Sequence, residues 1–325
     1  GTIMKRSAYF DNAKAILIYF VVLGHLLSNY LGTNEYLDTF YLIIYLFHMP
    51  AFILIAGHFS KKIKSLEDVK KLIKTLLLPY IVFQFIYSFY YVKVFGDSIE
   101  FTLFEPRYAL WFLLSMLLWK MMLSIFGNHK GMIIVSIVIS LFIGYVSEIN
   151  EWLSLSRTFF FFPFFLMGYF VKRTTFEKLK NKWNILSVIV GSIILVVFVH
   201  QYVDIHWREW LLGRVPYEDI YYPIFDSAII SRLVVYLFMF GTMYLFLSLV
   251  PTKERWYTAI GAKTLCVYLL HLFIIRAFKG SDLSIWIEQT GNFGVLILIA
   301  FAIVYVLSLK WVFRITKPIM AFSLK

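Results

Sequence analysis

The segment that most constrains this chain is its first long apolar run, YFDNAKAILIYFVVLGHLLSNYL at 9–31. It is long enough to cross a bilayer, yet it carries Asp11, Lys14 and His25. A lone spanning helix needs no ionisable residue, and a charge in hydrocarbon is costly unless it faces a protein interior or an aqueous cavity. Lys14 and His25 are eleven residues apart, almost three whole helical turns, so they fall on nearly one line about 16 Å apart. Asp11 and Ser28 lie close to the same stripe, whereas Ile16, Leu17, Tyr19, Phe20 and Leu23 cover other faces. The stripe reads as one wall of an internal site that runs from one membrane surface towards the middle.

The rest of the chain fits such a setting. Only 15% of its 325 residues are charged and 61% are hydrophobic, with a mean hydropathy of +0.77, against about 25% charged in a soluble domain. The reading is an all-α polytopic membrane protein, 1–325 forming one membrane-embedded domain with no soluble domain. Apolar runs near 9–31, 39–59, 73–95, 107–126, 131–148, 157–171, 183–200, 227–249, 261–278 and 293–315 predict about ten transmembrane helices. Pro163 is expected to break or kink the sixth. MKRS at 4–7 reads as an ordinary bacterial start, which sets Gly1–Ile3 aside as a remnant. The first run is too long for a cleavable signal and lacks a small-residue cleavage site. A single cysteine, Cys266, excludes an internal disulfide and a cysteine metal cluster.

The net charge of +12 would suit a nucleic-acid partner, but its distribution argues for membrane orientation. With the N-terminus inside, Lys5, Arg6, the 61–74 run, Lys130, the 172–182 run, 253–255 and the tail lysines all fall on the cytoplasmic side. That side then holds about twenty of the Lys and Arg against about five Asp and Glu, as the positive-inside rule expects. Both termini are therefore read as cytoplasmic, and no nucleic acid is expected. The longest connection, 201–226, is external and mixes Trp207, Trp210, Tyr217, Tyr221 and Tyr222 with Asp204, Arg208, Glu209, Arg214, Glu218 and Asp219. Such a mixture suits a sugar-binding surface and equally an amphipathic helix lying in the interface.

Counting rise along each predicted helix puts His25, His48 and His271 in the middle to outer part of the bilayer and Lys14 deep on the cytoplasmic side. Arg232 and Arg276 fall towards the outer side, and Arg107 with Trp111 at the external start of the fourth helix. A histidine exchanges a proton near neutral pH, and its neutral ring is tolerable in the membrane, so His25 reads as a general base or acid. His48 and His271 are either structural or supporting. A three-histidine zinc site lacks a paired spacing and a carboxylate at that depth, so no metal is expected. Cys266 sits five residues before His271, off its face, and reads as packing. No Gly-rich phosphate loop, GxSxG elbow or paired-carboxylate pattern is present.

Four stretches carry a resemblance: DNAKAILIYFVVLGH at 11–25, FHMPAFILIAGHF at 47–59, WFL at 111–113 and GAKTLCVYLLH at 261–271. In this order, within a ten-helix layout, they resemble the acyltransferase-3 family of membrane-bound acyl-CoA-dependent acyltransferases. The branch they look closest to is the one labelled fucose 4-O-acetylase-like. That family's motif is an Arg, ten intervening residues and a catalytic His. Here His25 holds the His position and Lys14 the Arg position, which keeps a cation for an acyl-CoA phosphate but loses the bidentate fork. The resemblance implies no bound cofactor, a cytoplasmic acyl-CoA co-substrate (acetyl-CoA or another short acyl-CoA) and a glycan acceptor across a bacterial plasma membrane. It makes Lys14 the donor-binding cation, helped by Arg6 or the 61–74 lysines, and His25 the catalytic residue. His48, His271 and Asp11 would support it, while Arg107, Trp111 and Arg232 would meet the acceptor. Two other readings stay open: a secondary transporter or exporter of a glycan or glycolipid, and a sensor or assembly subunit in which His25 is structural. A transporter would favour paired broken spans, and none is obvious. The acyl group, the acceptor and the oligomeric state are left open by the sequence.

Overall fold

In hydrocarbon every backbone N–H and C=O has to be bonded within its own segment, which restricts a chain of this composition to helices. The computed structural model describes residues 7–96, 103–106 and 108–321, the side chains of 319–321 excepted, and those residues form helices and connections without a strand. The helices run α1 (Ala8–Leu27), α2 (Glu35–His58), α3 (Leu66–Leu72), α4 (Leu78–Phe95), α5 (Trp111–Phe126), α6 (Met132–Ile143) and α7 (Leu155–Phe170). They continue as α8 (Arg173–Lys178), α9 (Lys182–Tyr202), α10 (Arg208–Leu212), α11 (Ala228–Leu249) and α12 (Thr264–Phe278). The last three are α13 (Asp282–Thr290), α14 (Val295–Leu307) and α15 (Lys310–Ala321).

Among the described residues, seven segments are long and apolar enough to cross a membrane: Ala8–Tyr30, Glu35–His58, Leu66–Phe95, Tyr108–Phe126, Trp152–Phe170, Lys182–Tyr202 and Ala228–Leu249. The protein is therefore a polytopic membrane protein. The other three expected spans differ from simple rods. The run at 131–148 yields only the twelve-residue α6. Those at 261–278 and 293–315 belong to bent pairs, α12 with α13 at 72° and α14 with α15 at 60°. Counting each bent pair as one span gives nine, so the ten of the sequence reading are reached only with a helix too short to cross. Gly280, at φ +79°, supplies the left-handed turn that permits the first bend. No paired broken span is obvious in the sequence, and the described residues hold two bent pairs. Pro163 does not break its helix, since α7 runs through it from Leu155 to Phe170.

The chain divides into two compact units. Unit 1 takes Gly1–Phe52, Lys172–Ile205 and Phe238–Phe313; unit 2 takes Ile53–Val171, His206–Leu237 and Arg314–Lys325. In unit 1, α1 is the hub, packed on α12, α14 and the 3-10 turn Thr258–Ala262. Leu17, Ile18, Val22 and Leu26 are fully enclosed. Three tyrosines fasten it along its length: Tyr9 donates to Leu247 O at 2.5 Å, Tyr19 to Ile297 O at 3.0 Å, and Tyr30 to Ser284 O at 3.2 Å. Most of α9 is by contrast exposed and apolar, as a lipid-facing helix should be. In unit 2, α7 carries the aromatic core Phe160, Phe162, Phe164 and Phe165, and packs on α5 and α6. A Cβ on Gly168 would run into the carbonyl of Leu54, and one on Gly57 into that of Phe165. This close backbone approach is the reason for small residues at the crossing.

Candidate functional site

In unit 1 the structure brings His25 and His271 together. Their rings lie 5.1 Å apart between centroids, and His271 Nε2 is 3.4 Å from His25 Nδ1. The hydrogen bonds assign the tautomers. His25 Nδ1 is 2.7 Å from Val21 O, and His271 Nδ1 is 2.7 Å from Tyr268 O and 3.1 Å from Val267 O. A carbonyl only accepts, so in each neutral ring the proton sits on Nδ1 and the lone pair on Nε2. His271 Nε2 is then an acceptor facing the His25 Nδ1–H. His25 thus shares its one N–H between a carbonyl and a second imidazole, and offers Nε2 as the base. His271 is wholly buried and His25 partly so. His48, 2% exposed, points Nδ1 at Ile44 O at 2.8 Å and lies within electrostatic reach of His25.

Towards the start of the same helix, Lys14 Nζ is 3.5 Å from Asp11 Oδ1, an i,i+3 pair along one helix face. Asp11 therefore accompanies Lys14. Fourteen residues separate Asp11 from His25, about 21 Å along the axis, out of reach of direct support for that ring. The residue that the sequence reading passed over is Asn12, which is fully buried. Its Nδ2 donates to Pro251 O and Lys253 O, both at 2.9 Å, and its Oδ1 accepts from Thr258 Oγ1 at 2.5 Å. One amide thus holds the whole turn 251–258 against the first turns of α1. Gly261 closes the approach, because a Cβ there would meet the Asp11 carbonyl. The turn carries Lys253 and Arg255 exposed, and ends at Lys263, whose Nζ donates to Ser308 O at 2.9 Å. Lys180 donates to Ser248 O at 2.6 Å and to Val250 O, and burial pushes its ammonium below the usual lysine range. A signal for Asn12 did exist: an amide in a spanning helix has to find its partners inside the protein.

The remaining expected residues belong to unit 2 or lie outside the described residues, as Arg107 and Arg6 do. Trp111 opens α5; its ring stacks on Phe161 at 5.6 Å, and the Arg157 guanidinium lies 4.7 Å from its centre. Arg232, 2% exposed, donates to Ser140 O at 2.8 Å and sits 4.6 Å from the Tyr217 ring and 5.1 Å from that of Phe160. Burial raises the Tyr217 phenol to about 12, with the Arg232 charge pulling against it. The 201–226 connection forms no long amphipathic helix. It is built from the short turns Ile205–Trp207, α10 and Tyr217–Asp219, with Trp210 and Tyr217 buried and Tyr221 exposed. Among the described residues, no three His, Cys, Asp or Glu gather where they could hold a metal ion.

A 58-residue stretch is 47% identical to Nodulation protein NolL of Mesorhizobium japonicum (strain LMG 29417 / CECT 9101 / MAFF 303099), covering 17% of this chain and 16% of that protein. No solved structure matches. Residues 7–313 match the acyltransferase-3 family, described as an acyltransferase domain. That span takes in the histidine pair, the Lys14 end of α1 and the Asn12-held turn, and so this helical membrane protein belongs to the acyltransferase-3 family.

Proposed function

We propose that the protein moves a short acyl group, acetyl first among them, from cytoplasmic acyl-CoA to a glycan hydroxyl on the far side of a bacterial plasma membrane. In this reading it is a fucose 4-O-acetylase-like member of its family, both termini are cytoplasmic, and no cofactor is bound. The observation that carries the proposal is one helix, α1, bearing a cation near one end and, about 16 Å further on, a histidine whose Nδ1–H faces a carbonyl and His271. Lys14, with the cations of the Asn12-held turn, meets the phosphates of the donor, and the pantetheine arm runs along the helix. His25 Nε2 takes the proton of the acceptor hydroxyl as its oxygen attacks the thioester carbonyl. The C–S bond breaks, the proton passes from His25 to the departing thiolate, and free CoA thiol and an O-acyl ester result. His271 holds the His25 ring in register and accepts from Nδ1–H while the ring is charged. Arg107, Trp111 and Arg232 serve the acceptor. A covalent route, with the acyl group carried on His25 Nε2, is separable because a quench before acceptor addition would trap labelled protein.

The test is thiol release from acetyl-CoA by the protein in proteoliposomes, for wild type, His25→Ala and Lys14→Ala. The expected result is release by wild type, none above background for a folded His25→Ala, and a raised KM for Lys14→Ala. No acyl-CoA binding by any folded form would overturn the proposal. The two bent helix pairs keep a transport reading worth one control, glycan flux without thiol release.

A further inference from the structure

We propose that Asn29 is a further catalytic residue, its amide N–H groups binding the oxyanion that forms when the acyl thioester is attacked beside His25; this deepens the proposed reaction and rests on it. In unit 1, α1 passes directly into the 3-10 turn Ser28–Tyr30, within one span. Asn29 therefore follows His25 by one helical turn and lies about 40° round the axis from it. Side chains on a helix lean back towards its start, which brings that of Asn29 towards the turn that carries the His25 ring. His25, Ser28 and Asn29 are each half-buried on this face, next to the fully enclosed Val22 and Leu26.

Among the described residues, Asn29 Nδ2 is enclosed and has no hydrogen-bond partner. Buried amide donors are nearly always bonded, because an unpaired one forfeits its hydration. The turn around it is already satisfied: Ser28 Oγ donates to His25 O at 2.6 Å, Thr33 Oγ1 donates to Tyr30 O at 2.5 Å, and Tyr30 Oη pairs with Ser284. The histidine donors are committed too. His271 and His48 each direct Nδ1–H at a backbone carbonyl, and the Nδ1–H of His25 faces Val21 O and His271. Acyl transfer calls for a donor that the base itself does not supply. As the acceptor oxygen bonds to the thioester carbon, the carbonyl π pair moves onto the carbonyl oxygen. Asn29 Nδ2 donates to that oxyanion without giving up a proton, and the pair returns as the C–S bond breaks. The attacking oxygen and the oxyanion share one carbon, and each stands about 3 Å from its nitrogen. A base and a donor on neighbouring turns, about 5–6 Å apart at Cβ, therefore serve both at once. A neutral amide does so without a second charge in hydrocarbon.

The experiment follows thiol release from acetyl-CoA by the full chain in proteoliposomes, with water as the acceptor, beside thermal melting of the same preparations. Asn29→Leu keeps the volume and loses both donors, Asn29→Ala loses the whole amide, and Asn29→Gln returns the donors on a longer arm. Asn29→Leu and Asn29→Ala should lower kcat about a hundredfold with KM for acetyl-CoA within about twofold. Asn29→Leu should melt no lower than wild type, since it removes an enclosed donor that lacks a partner. Asn29→Gln should recover part of kcat. A kcat for Asn29→Leu within about threefold of wild type would overturn the proposal. So would a lower melting point with normal turnover per folded molecule, the result expected of an amide bonded to a structural water. Should Asn29→Leu fail to fold, Asn29→Ala decides. His25-dependent release that survives the loss of Asn29 overturns this proposal alone, whereas release that does not depend on His25 overturns the reading on which it rests.

Discussion

Replacing Asn12 by Leu tests whether one amide organises the cationic turn. The side chain makes three hydrogen bonds, two from Nδ2 to Pro251 O and Lys253 O at 2.9 Å and one to Oδ1 from Thr258 at 2.5 Å. At about 1 kcal/mol net each, their loss costs about 3 kcal/mol, and the similar volume of Leu leaves no cavity to add to it. Thr258→Val removes one bond of the three and also the bond that Oγ1 accepts from Arg255 N at 2.7 Å, and should cost about 2 kcal/mol. In the double variant the losses should be less than additive, because the Thr258 bond is already gone once Asn12 is replaced. Melting followed by intrinsic fluorescence in detergent should show Asn12→Leu several degrees below wild type and Thr258→Val in between. If the turn then opens part of the time, the apparent donor affinity falls by its closed fraction, so KM for acyl-CoA should rise about fivefold or more with kcat little changed. A melting point within one degree of wild type, together with KM within about twofold, would refute the reasoning.

Other substitutions separate the roles assigned above. His271→Phe removes the acceptor facing His25 Nδ1–H and should lower kcat about tenfold or more at constant acyl-CoA KM. His271→Gln, whose amide oxygen can still accept, should recover part of that loss in the same thiol-release assay. Gly168→Ala drives a Cβ against the Leu54 carbonyl and should cost about 1–3 kcal/mol. Gly241→Ala, with open space around it, should be neutral or stabilising by up to about 1 kcal/mol, both read by thermal melting. Arg232 is buried, and among the described residues no carboxylate pairs with it. Its desolvation is offset by one carbonyl and two ring faces, so Arg232→Met should change stability by no more than about 1–2 kcal/mol. Acceptor-dependent turnover should fall all the same; a folding defect with normal turnover per folded molecule would count against an acceptor role.

How much of this was legible in the sequence depended on whether the signal was periodic or long-range. Length and apolarity along the chain expose α1, α2 and α9 because hydrocarbon thickness is a local constraint. They do not expose the bends after Phe278 and Leu307, since a single left-handed glycine, Gly280, and a change of direction at Ser308 leave the hydropathy high on both sides. Pro163, expected to break or kink its helix, does not break it, as a proline in a spanning helix is tolerated where neighbours re-satisfy the freed carbonyl. The Lys14–His25 line was visible because both residues share one helix. The His25–His271 pair was not, because nothing in spacing reports which two helices touch. Asn12 was read as part of a motif and not as a polar group whose three bonds had to be found somewhere.

The histidine pair also shows how neutral groups can orient a base at this depth: the Val21 carbonyl and the His271 ring both face His25 Nδ1. An ionised Asp or Glu beside His25 would add a second buried charge, costing several kcal/mol before any reaction. A backbone carbonyl and a neutral imidazole perform the same orientation without net charge. Val21 O and His271 Nε2 both accept, so both favour the tautomer with Nε2 as base, and neither has to move when that nitrogen gains a proton. His271 is in turn locked by Val267 O and Tyr268 O, which prevents it from turning its own N–H towards His25. The direction of proton transfer would thus be set by carbonyls of two helices, α1 and α12. On this reasoning, the positions around His271 that matter are those that hold the α12 backbone against α1, such as Gly261, as much as the side chains that share its depth.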